Sequence, residues 1–175
     1  EVKMGKEAYT IWVLDEKTNQ ELERVRKALE VFNIEYNPIY GHITLASFID
    51  VDIDEILEYT KRFAEGKRAF DINFLSIGLL PSYCLACIAS TSGKLLKYYE
   101  EYHQQFDSYC NIWTKASSEL WLPHVSLYYS ETEDLGSIIG EMSKRFAQFK
   151  GRVVRIELSV SDEDGFNIIY SHSLE

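Results

Sequence analysis

Two short stretches of the chain repeat one order of side chains: a histidine, an aliphatic residue, a hydroxyl residue and a second aliphatic residue. The stretches are residues 42–45, His-Ile-Thr-Leu, and residues 124–127, His-Val-Ser-Leu. On a β-strand, alternate side chains point to the same face. In each copy we therefore expect the histidine and the hydroxyl to share one open face, while the aliphatic residues point into the core.

The side chains on these open faces suit the cleavage of a phosphodiester. Histidine titrates near neutral pH, so one of two facing rings can accept a proton while the other donates one. His42 and His124 are therefore the candidate acid/base pair. Each proton transfer contributes a factor on the order of 10² to 10⁴ to the rate. The hydroxyl groups of Thr44 and Ser126 can donate to the non-bridging phosphate oxygens. This chemistry needs no metal and no other cofactor.

The rest of the chain alternates between strand and helix patterns. Strands are predicted, from β-formers between turn signals, over residues 8–14, 39–48, 70–80, 83–89, 124–129, 153–160 and 166–171, with a break at Asn37-Pro38 and a final turn at Asp164-Gly165. Helices are predicted, from apolar residues at helical spacing, over about 18–32, from a cap at Asp52 or Asp54 to 66, from Thr91 or Ser92 to Cys110, and from Glu131 or Thr132 to 146. Each half has the order strand, helix, motif strand, helix, strand, and the second half adds one strand.

This repeated order predicts an α/β (α+β) fold built by duplication. A single domain over residues 1–175 would contain two lobes, about 8–80 and 81–173, related by a pseudo-twofold axis. A central cleft would lie between two mainly antiparallel sheets, and both histidine faces would converge on it.

Composition narrows the class of protein. The chain has 175 residues, of which 46% are hydrophobic and 14% aromatic, which is typical of a folded domain. Its net charge of −10 argues against binding to extended DNA or RNA, since such binders depend on basic surface. The sequence contains neither a run of about 20 apolar residues nor a signal peptide, so we expect a cytoplasmic protein without membrane contact. We also expect a monomer.

The two His-x-[Thr/Ser] motifs, flanked by aliphatic residues and placed one in each half, resemble those of the 2H phosphoesterase superfamily, which includes bacterial 2′-5′ RNA ligase-like proteins. The resemblance covers nearly all of the chain. It implies a bilobal α/β fold whose motif strands line a central cleft, and metal-independent cleavage of 2′,3′-cyclic phosphates or related phosphodiesters. Position by position, it implies that His42 and His124 are the acid/base pair and that Thr44 and Ser126 donate to phosphate oxygens.

These observations predict a cyclic phosphodiesterase acting on a small nucleotide or on an RNA 3′-end with a cyclic phosphate. One alternative is a binding module that recognises a phosphorylated nucleotide or RNA end without turnover, and another is an RNA 2′-5′ ligase. The intact histidines and hydroxyls favour the enzyme, because the fixed fork of arginine would suit a pure phosphate binder better.

Three further features have a functional and a structural interpretation. Tyr128 lies two residues beyond Ser126, so alternation places it on the histidine face, where it either contacts a base or phosphate or packs as an ordinary aromatic. A zinc site at the motif histidines is disfavoured, because the sequence has no closely spaced His/Cys ligand pairs. His103, within a helix, and His172 are interpreted as partly exposed polar residues outside the site.

Overall fold

A computed structural model describes residues 7–37, 39–91, 93–162 and 165–175, and within them the secondary structure follows the predicted order. The strands are β1 (Glu7–Leu14), β2 (His42–Ile49), β3 (Phe70–Leu80), β4 (Cys84–Ala89), β5 (His124–Tyr129), β6 (Phe149–Asp162) and β7 (Gly165–Ser173). The α-helices are α1 (Glu16–Arg26), α2 (Ile53–Ala64), α3 (Lys94–Tyr102) and α4 (Leu135–Arg145), and short 3₁₀ helices cover Lys27–Phe32, Asp107–Tyr109 and Ala116–Ser118.

All strand pairings in these ranges are antiparallel, and they run in the order β2-β1-β6-β3-β4-β5, with β7 added on β6. The predicted α+β class and antiparallel pairing are confirmed. The two predicted sheets are, however, joined through the pairing of β3 with β6, so the hydrogen bonds form one continuous sheet. Its two end strands, β2 and β5, contact each other, and these are the two motif strands.

The two halves exchange a strand. The last strand of the first half, β3, pairs with β4 of the second half, and β6 of the second half pairs with β1 of the first. The two exchanged strands then pair with each other, at the position where a pseudo-twofold axis would pass. Each lobe of the sheet therefore contains chain from both halves of the sequence.

The duplication extends to an irregularity in the pairing. In β2 the register shifts so that Thr44 and Ala46 pair with neighbouring residues of β1, which leaves Leu45 as a β-bulge. In β5 the same shift leaves Leu127 as the bulged residue. Both bulges lie directly after the hydroxyl residue of the motif.

The aliphatic residues of both motifs point into the core, as the alternation predicts. Ile43 and Leu45 are fully buried, and Val125 and Leu127 are also buried. They belong to one continuous hydrophobic cluster that includes Trp12 on β1, whose ring packs against the rings of helix α2 and strand β3. Burial of aliphatic and aromatic side chains is the main force that holds each motif strand in place.

Most helix starts are set by aspartate caps. Asp15 accepts a hydrogen bond from Thr18 N at 2.9 Å, and Asp52 caps α2 as predicted. The cap of α4 is Asp134 rather than the predicted Glu131 or Thr132. Helix α3 begins after Gly93, which has φ 67° and makes no side-chain cap, so the predicted cap at Thr91 is wrong. The other predicted cap, Ser92, lies outside the described residues. So do Pro38 of the predicted break and Asp164 of the predicted turn.

Helix α3 also ends at Tyr102, earlier than the predicted Cys110. The reason is Asp107, whose carboxylate accepts hydrogen bonds from Ala116 N at 2.6 Å and Ser117 N at 3.2 Å. These bonds stabilise a folded connection between α3 and β5 instead of further helical turns. None of the helices in the described ranges is long and apolar enough to cross a membrane.

The contact between α1 and the sheet gives a testable prediction. A Cβ on Gly151 of β6 would lie 2.6 Å from Thr18 Cγ2 and 2.9 Å from Phe74 Cε2, well inside van der Waals contact. We expect Gly151→Ala to lower the free energy of unfolding by about 1–3 kcal/mol, because the added methyl overpacks the core. Urea denaturation measures the effect.

Gly140→Ala is the matched control, since a Cβ on Gly140 in α4 would meet nothing within 4 Å. This change should stabilise the protein by up to about 1 kcal/mol through helix propensity. Equal effects of the two substitutions would contradict the tight contact at Gly151.

Candidate active site

The four motif side chains meet where β2 and β5 come together, and all four are partly exposed to solvent. Two cavities open there. The first, of about 510 Å³, is lined by His42 and Ser126 and is called here the His42 cavity. The second, of about 420 Å³, is lined by His124 and Thr44 and is called the His124 cavity. Each histidine therefore shares a cavity with the hydroxyl of the opposite motif.

Both histidines are oriented by the same main-chain contact. The Nδ1 atom of His42 lies 3.1 Å from the carbonyl oxygen of Tyr40, and the Nδ1 atom of His124 lies 2.7 Å from that of Leu122. A carbonyl oxygen only accepts, so Nδ1 must carry the proton in each ring. The Nε2 atoms are then left to exchange protons with a ligand.

The electrostatic surroundings favour the neutral form of His42. Burial lowers the pKa of His42 below its usual value of 6.5, and the positive charges of Arg26 and His124 lower this pKa further. The hydrogen bond to the Tyr40 carbonyl and the charge of Glu157 act in the opposite direction. His124 thus lies near enough to His42 for its charge to act on this pKa.

The carboxylate of Glu157 accepts two hydrogen bonds close to His42. The Tyr40 hydroxyl donates to Glu157 Oε2 at 2.7 Å, and Arg155 Nε donates to Glu157 Oε1, also at 2.7 Å. Glu157 is buried, so the charge of Arg155 offsets the cost of keeping its carboxylate away from water. Because the carbonyl of the same Tyr40 accepts from His42, Tyr40 links the buried carboxylate of Glu157 to the ring of His42.

The hydroxyl of Ser126 lies between two other polar side chains. Its Oγ is 2.8 Å from the hydroxyl of Tyr129 and 3.5 Å from the thiol of Cys84. Burial raises the pKa of Tyr129, so the phenol stays protonated at neutral pH. Tyr129 lines both cavities and is the shared wall between them.

The bulge at Leu127 changes which tyrosine reaches this position. Regular alternation places Tyr128 beside Ser126, whereas the structure places the hydroxyl of Tyr129 there. Tyr128 packs partly against the core and also lines the His42 cavity. A bulged strand presents one extra residue, so side chains after it are out of phase with those before it.

Donors from the opposite half bond the main-chain carbonyls at each bulge. In β5, Arg26 of helix α1 donates through Nη2 to Ser126 O at 3.0 Å and through Nε to Leu127 O at 3.3 Å. In β2, the indole Nε1 of Trp121 donates to Thr44 O at 3.1 Å, and His103 Nε2 lies 2.9 Å from Leu45 O. The two halves thus hold each other's motif strand.

His103 is buried and lies within hydrogen-bond distance of Leu45 O, so the prediction that it is partly exposed is wrong. His172 is partly exposed, as predicted. The other ring nitrogen of His103 lies 2.9 Å from Asp107 Oδ1, and Cys110 completes a group whose ligand atoms lie within 4.8 Å of one another. Such a group has the residue types of a metal site. Both nitrogens of the ring already bond protein atoms, however, which indicates a structural role.

Several residues that shape the site were not predicted from the sequence. Arg26 had a signal, because it follows Leu22 by four residues and precedes Leu29 by three, so a charged residue occupies the apolar stripe of a helix. Tyr129 and Trp121 had none, because their contacts depend on a bulge and on a connection without a regular pattern. The four motif residues line two neighbouring cavities, His42 and Ser126 the first and Thr44 and His124 the second.

A duplicated, antiparallel α+β fold that joins two His-x-hydroxyl strands at one cleft is the arrangement of the 2H phosphoesterases. The chain belongs to the 2′-5′ RNA ligase superfamily, whose family profile matches residues 14–165. No curated protein matches the chain significantly. Membership in this superfamily supports a phosphoesterase or ligase-like function for the chain.

Solved structures share the fold at low sequence identity. TT0787 of Thermus thermophilus aligns with a TM-score of 0.66 at 14% identity, over 96% of this chain and 97% of that chain. LigT of E. coli, solved with 3′-AMP, aligns with a TM-score of 0.62 at 11% identity, over 98% and 99% of the two chains. Usb1 of Kluyveromyces marxianus aligns with a TM-score of 0.53 at 14% identity, over 99% of each.

Arg26 gives a prediction for this site. Replacing it with methionine keeps an apolar stem but removes the positive charge that lowers the pKa of His42. We expect the pKa of His42 in Arg26→Met to rise toward its usual value, which an NMR titration of the ring measures.

Arg24→Met is the control, because Arg24 lies on the same helix but is exposed and bonds the Arg145 carbonyl. It should leave the titration of His42 unchanged. An unaltered pKa in Arg26→Met would contradict the electrostatic role of Arg26.

Proposed function

We propose that this chain is a metal-independent phosphodiesterase that hydrolyses 2′,3′-cyclic phosphates of small nucleotides or RNA ends. The observation that carries the proposal is the arrangement of His42 and His124. Both rings are held through Nδ1 by a carbonyl, both are partly exposed, and each shares a cavity with the hydroxyl of the other motif. A base and an acid on two sides of one scissile bond need this geometry.

The electrostatics suggest which histidine is the base. The lowered pKa of His42 keeps its Nε2 unprotonated at neutral pH, so His42 takes the proton of the attacking water. The water oxygen then bonds to phosphorus, and one of the two ring P–O bonds breaks. His124 donates a proton from Nε2 to the departing ribose oxygen. The product is a phosphate monoester, and a proton exchange with solvent resets the pair.

The two hydroxyls stabilise charge on the phosphate. Thr44 and Ser126 donate to the non-bridging oxygens as negative charge grows on them in the transition state. Ser126 is held for this role by the Tyr129 hydroxyl at 2.8 Å, which accepts or donates in turn as the serine reorients. Arg26 adds a positive charge beside the His42 cavity while its own donors bond the carbonyls of β5.

Two observations support a nucleotide as the ligand. LigT, which shares the fold, has been solved with 3′-AMP, ATP and NADP⁺. The net charge of −10 disfavours long nucleic acid but permits a small ligand with one phosphodiester. A cyclic phosphate on a nucleoside or at a short RNA end meets both conditions.

Turnover of 2′,3′-cyclic nucleotides in the presence of EDTA tests the proposal. Wild type should hydrolyse at least one member of a panel of nucleoside 2′,3′-cyclic phosphates and a short RNA with a cyclic end. His42→Ala and His124→Ala should each lower kcat roughly 10² to 10⁴-fold, because each removes one proton transfer. His172→Ala, a histidine that lines neither cavity, is the control and should retain full activity.

Inhibition by the chelator, or full activity in either motif variant, would overturn the proposed mechanism. Binding of the same nucleotides without turnover in wild type would instead favour a binding module. Folding of each variant is checked by circular dichroism, so a loss of activity is assigned to chemistry.

The pH dependence tests the assignment of the base. Because the pKa of His42 lies below 6.5, the base remains neutral as the pH falls through 6.5, and kcat/KM should decline only at more acidic pH. In Arg26→Met the acidic limb should move to higher pH, in parallel with the raised pKa of His42. An acidic limb above pH 6.5 in wild type would show that His42 is not the base.

A further inference from the structure

We infer that the His124 cavity binds the nucleobase of the substrate, with the ring of Trp113 as the stacking surface. The inference rests on the proposed function, because it places the cyclic phosphate between the two histidines. The cavity has about 420 Å³, within the usual size range of small-molecule sites, and it opens directly on His124 and Thr44. A ligand with its phosphate at the histidines can therefore extend its remaining part into this space.

Four aromatic side chains line the cavity: Tyr9, Trp113, Trp121 and Tyr129. The ring of Tyr9 packs on Phe166, and the hydroxyl of Tyr129 is bonded to Ser126. Trp121 stacks on Tyr99 with ring centroids 3.8 Å apart and planes within 6°, and its indole nitrogen bonds Thr44 O. Trp113 is 51% exposed and makes no ring-to-ring contact within the described part of the chain. An exposed indole at the mouth of a site is the side chain best suited to stack on a base.

The backbone of Trp113 is fixed in place before any ligand binds. Asn111 Oδ1 accepts from Trp113 N at 3.0 Å and from Thr114 N at 3.1 Å. The hydroxyl of Thr114 accepts from Ser47 N at 3.0 Å, which ties this segment to strand β2. Preorganisation lowers the entropy cost of binding. Trp113 is thus presented by a rigid segment, not by a free loop end.

The lining of the cavity suits an uncharged nucleobase better than a second phosphate. Among the described residues that line the His124 cavity there is no lysine, arginine, aspartate or glutamate. A neutral, planar group can enter such a site without the desolvation cost of a charged one. The His42 cavity differs, because Arg26 and Glu35 line it.

A polar group is available for the edge of the base. Asn111 lines the cavity, and its Oδ1 atom is fully engaged by Trp113 N, Thr114 N and Thr114 Oγ1. Its Nδ2 group is therefore the part that can donate to an acceptor of the base. A largely apolar cavity with a few placed polar groups is the usual form of a small-molecule site.

A comparison of two substrates tests the inference. We expect Trp113→Ala to lower kcat/KM for nucleoside 2′,3′-cyclic phosphates roughly 10- to 100-fold more than for glycerol 1,2-cyclic phosphate, which has no base. Trp113→Phe should recover most of this difference, because it keeps an aromatic face. Tyr109→Ala is the control, since Tyr109 is an exposed aromatic of the same connection that lines neither cavity.

The inference is wrong if Trp113→Ala lowers kcat/KM equally for both substrates, or if it changes neither. A binding measurement separates this result from failure of the proposed function. If wild type hydrolyses neither substrate, calorimetry compares the binding of adenosine 3′-phosphate and glycerol phosphate to wild type and Trp113→Ala. If Trp113→Ala binds adenosine 3′-phosphate more weakly than wild type does, but binds glycerol phosphate equally well, the base site is supported even without turnover. Equal binding of adenosine 3′-phosphate by the two proteins would overturn it.

Discussion

Four main-chain carbonyls at the two bulges need hydrogen-bond donors, and the structure of the cleft depends on where these donors come from. A bulge takes backbone groups out of the sheet ladder, and a buried carbonyl without a partner is costly. Arg26 bonds the carbonyls of Ser126 and Leu127, while Trp121 and His103 bond those of Thr44 and Leu45. Each donor belongs to the half of the chain opposite to the strand it bonds. The hydrogen bonds that satisfy these carbonyls therefore also hold the two motif strands next to each other.

The same arginine links this architecture to the proton chemistry. The guanidinium of Arg26 is buried, and its charge is balanced in part by Glu23 at 3.6 Å. Burial keeps the interaction of this charge with His42 strong, because little water screens it. A chain with net charge −10 therefore keeps a positive charge next to its candidate base. The duplication is asymmetric here, since the indole of Trp121 fills the corresponding place in the other half without adding charge.

Much of the fold follows from the sequence, because local patterns determine local structure. The period of two around His42 and His124 predicts both motif strands, and helical apolar spacing predicts the order of all four α-helices. The exchange of β3 and β6 between the halves could not be predicted, because strand partners far apart in sequence leave no local signal. The early end of α3 depends on Asp107, which bonds residues that lie about ten positions further along the chain. The four motif residues were found because their types repeat, whereas Tyr129 reaches the site only through the bulge.

The exchanged strands also affect how the chain can reach its native state. Strand β1 pairs with β2 nearby in sequence, but its other neighbour, β6, begins only at Phe149. During synthesis, the emerged first half would therefore have one long edge of β1 without a partner until β6 leaves the ribosome. Pairing across such a sequence distance is slow, because the intervening chain must lose the entropy of loop closure before the strand contacts stabilise the structure. An unpaired strand edge is also a site for wrong association. Reliable folding of the first half thus depends on β6, although each half contains a complete motif strand.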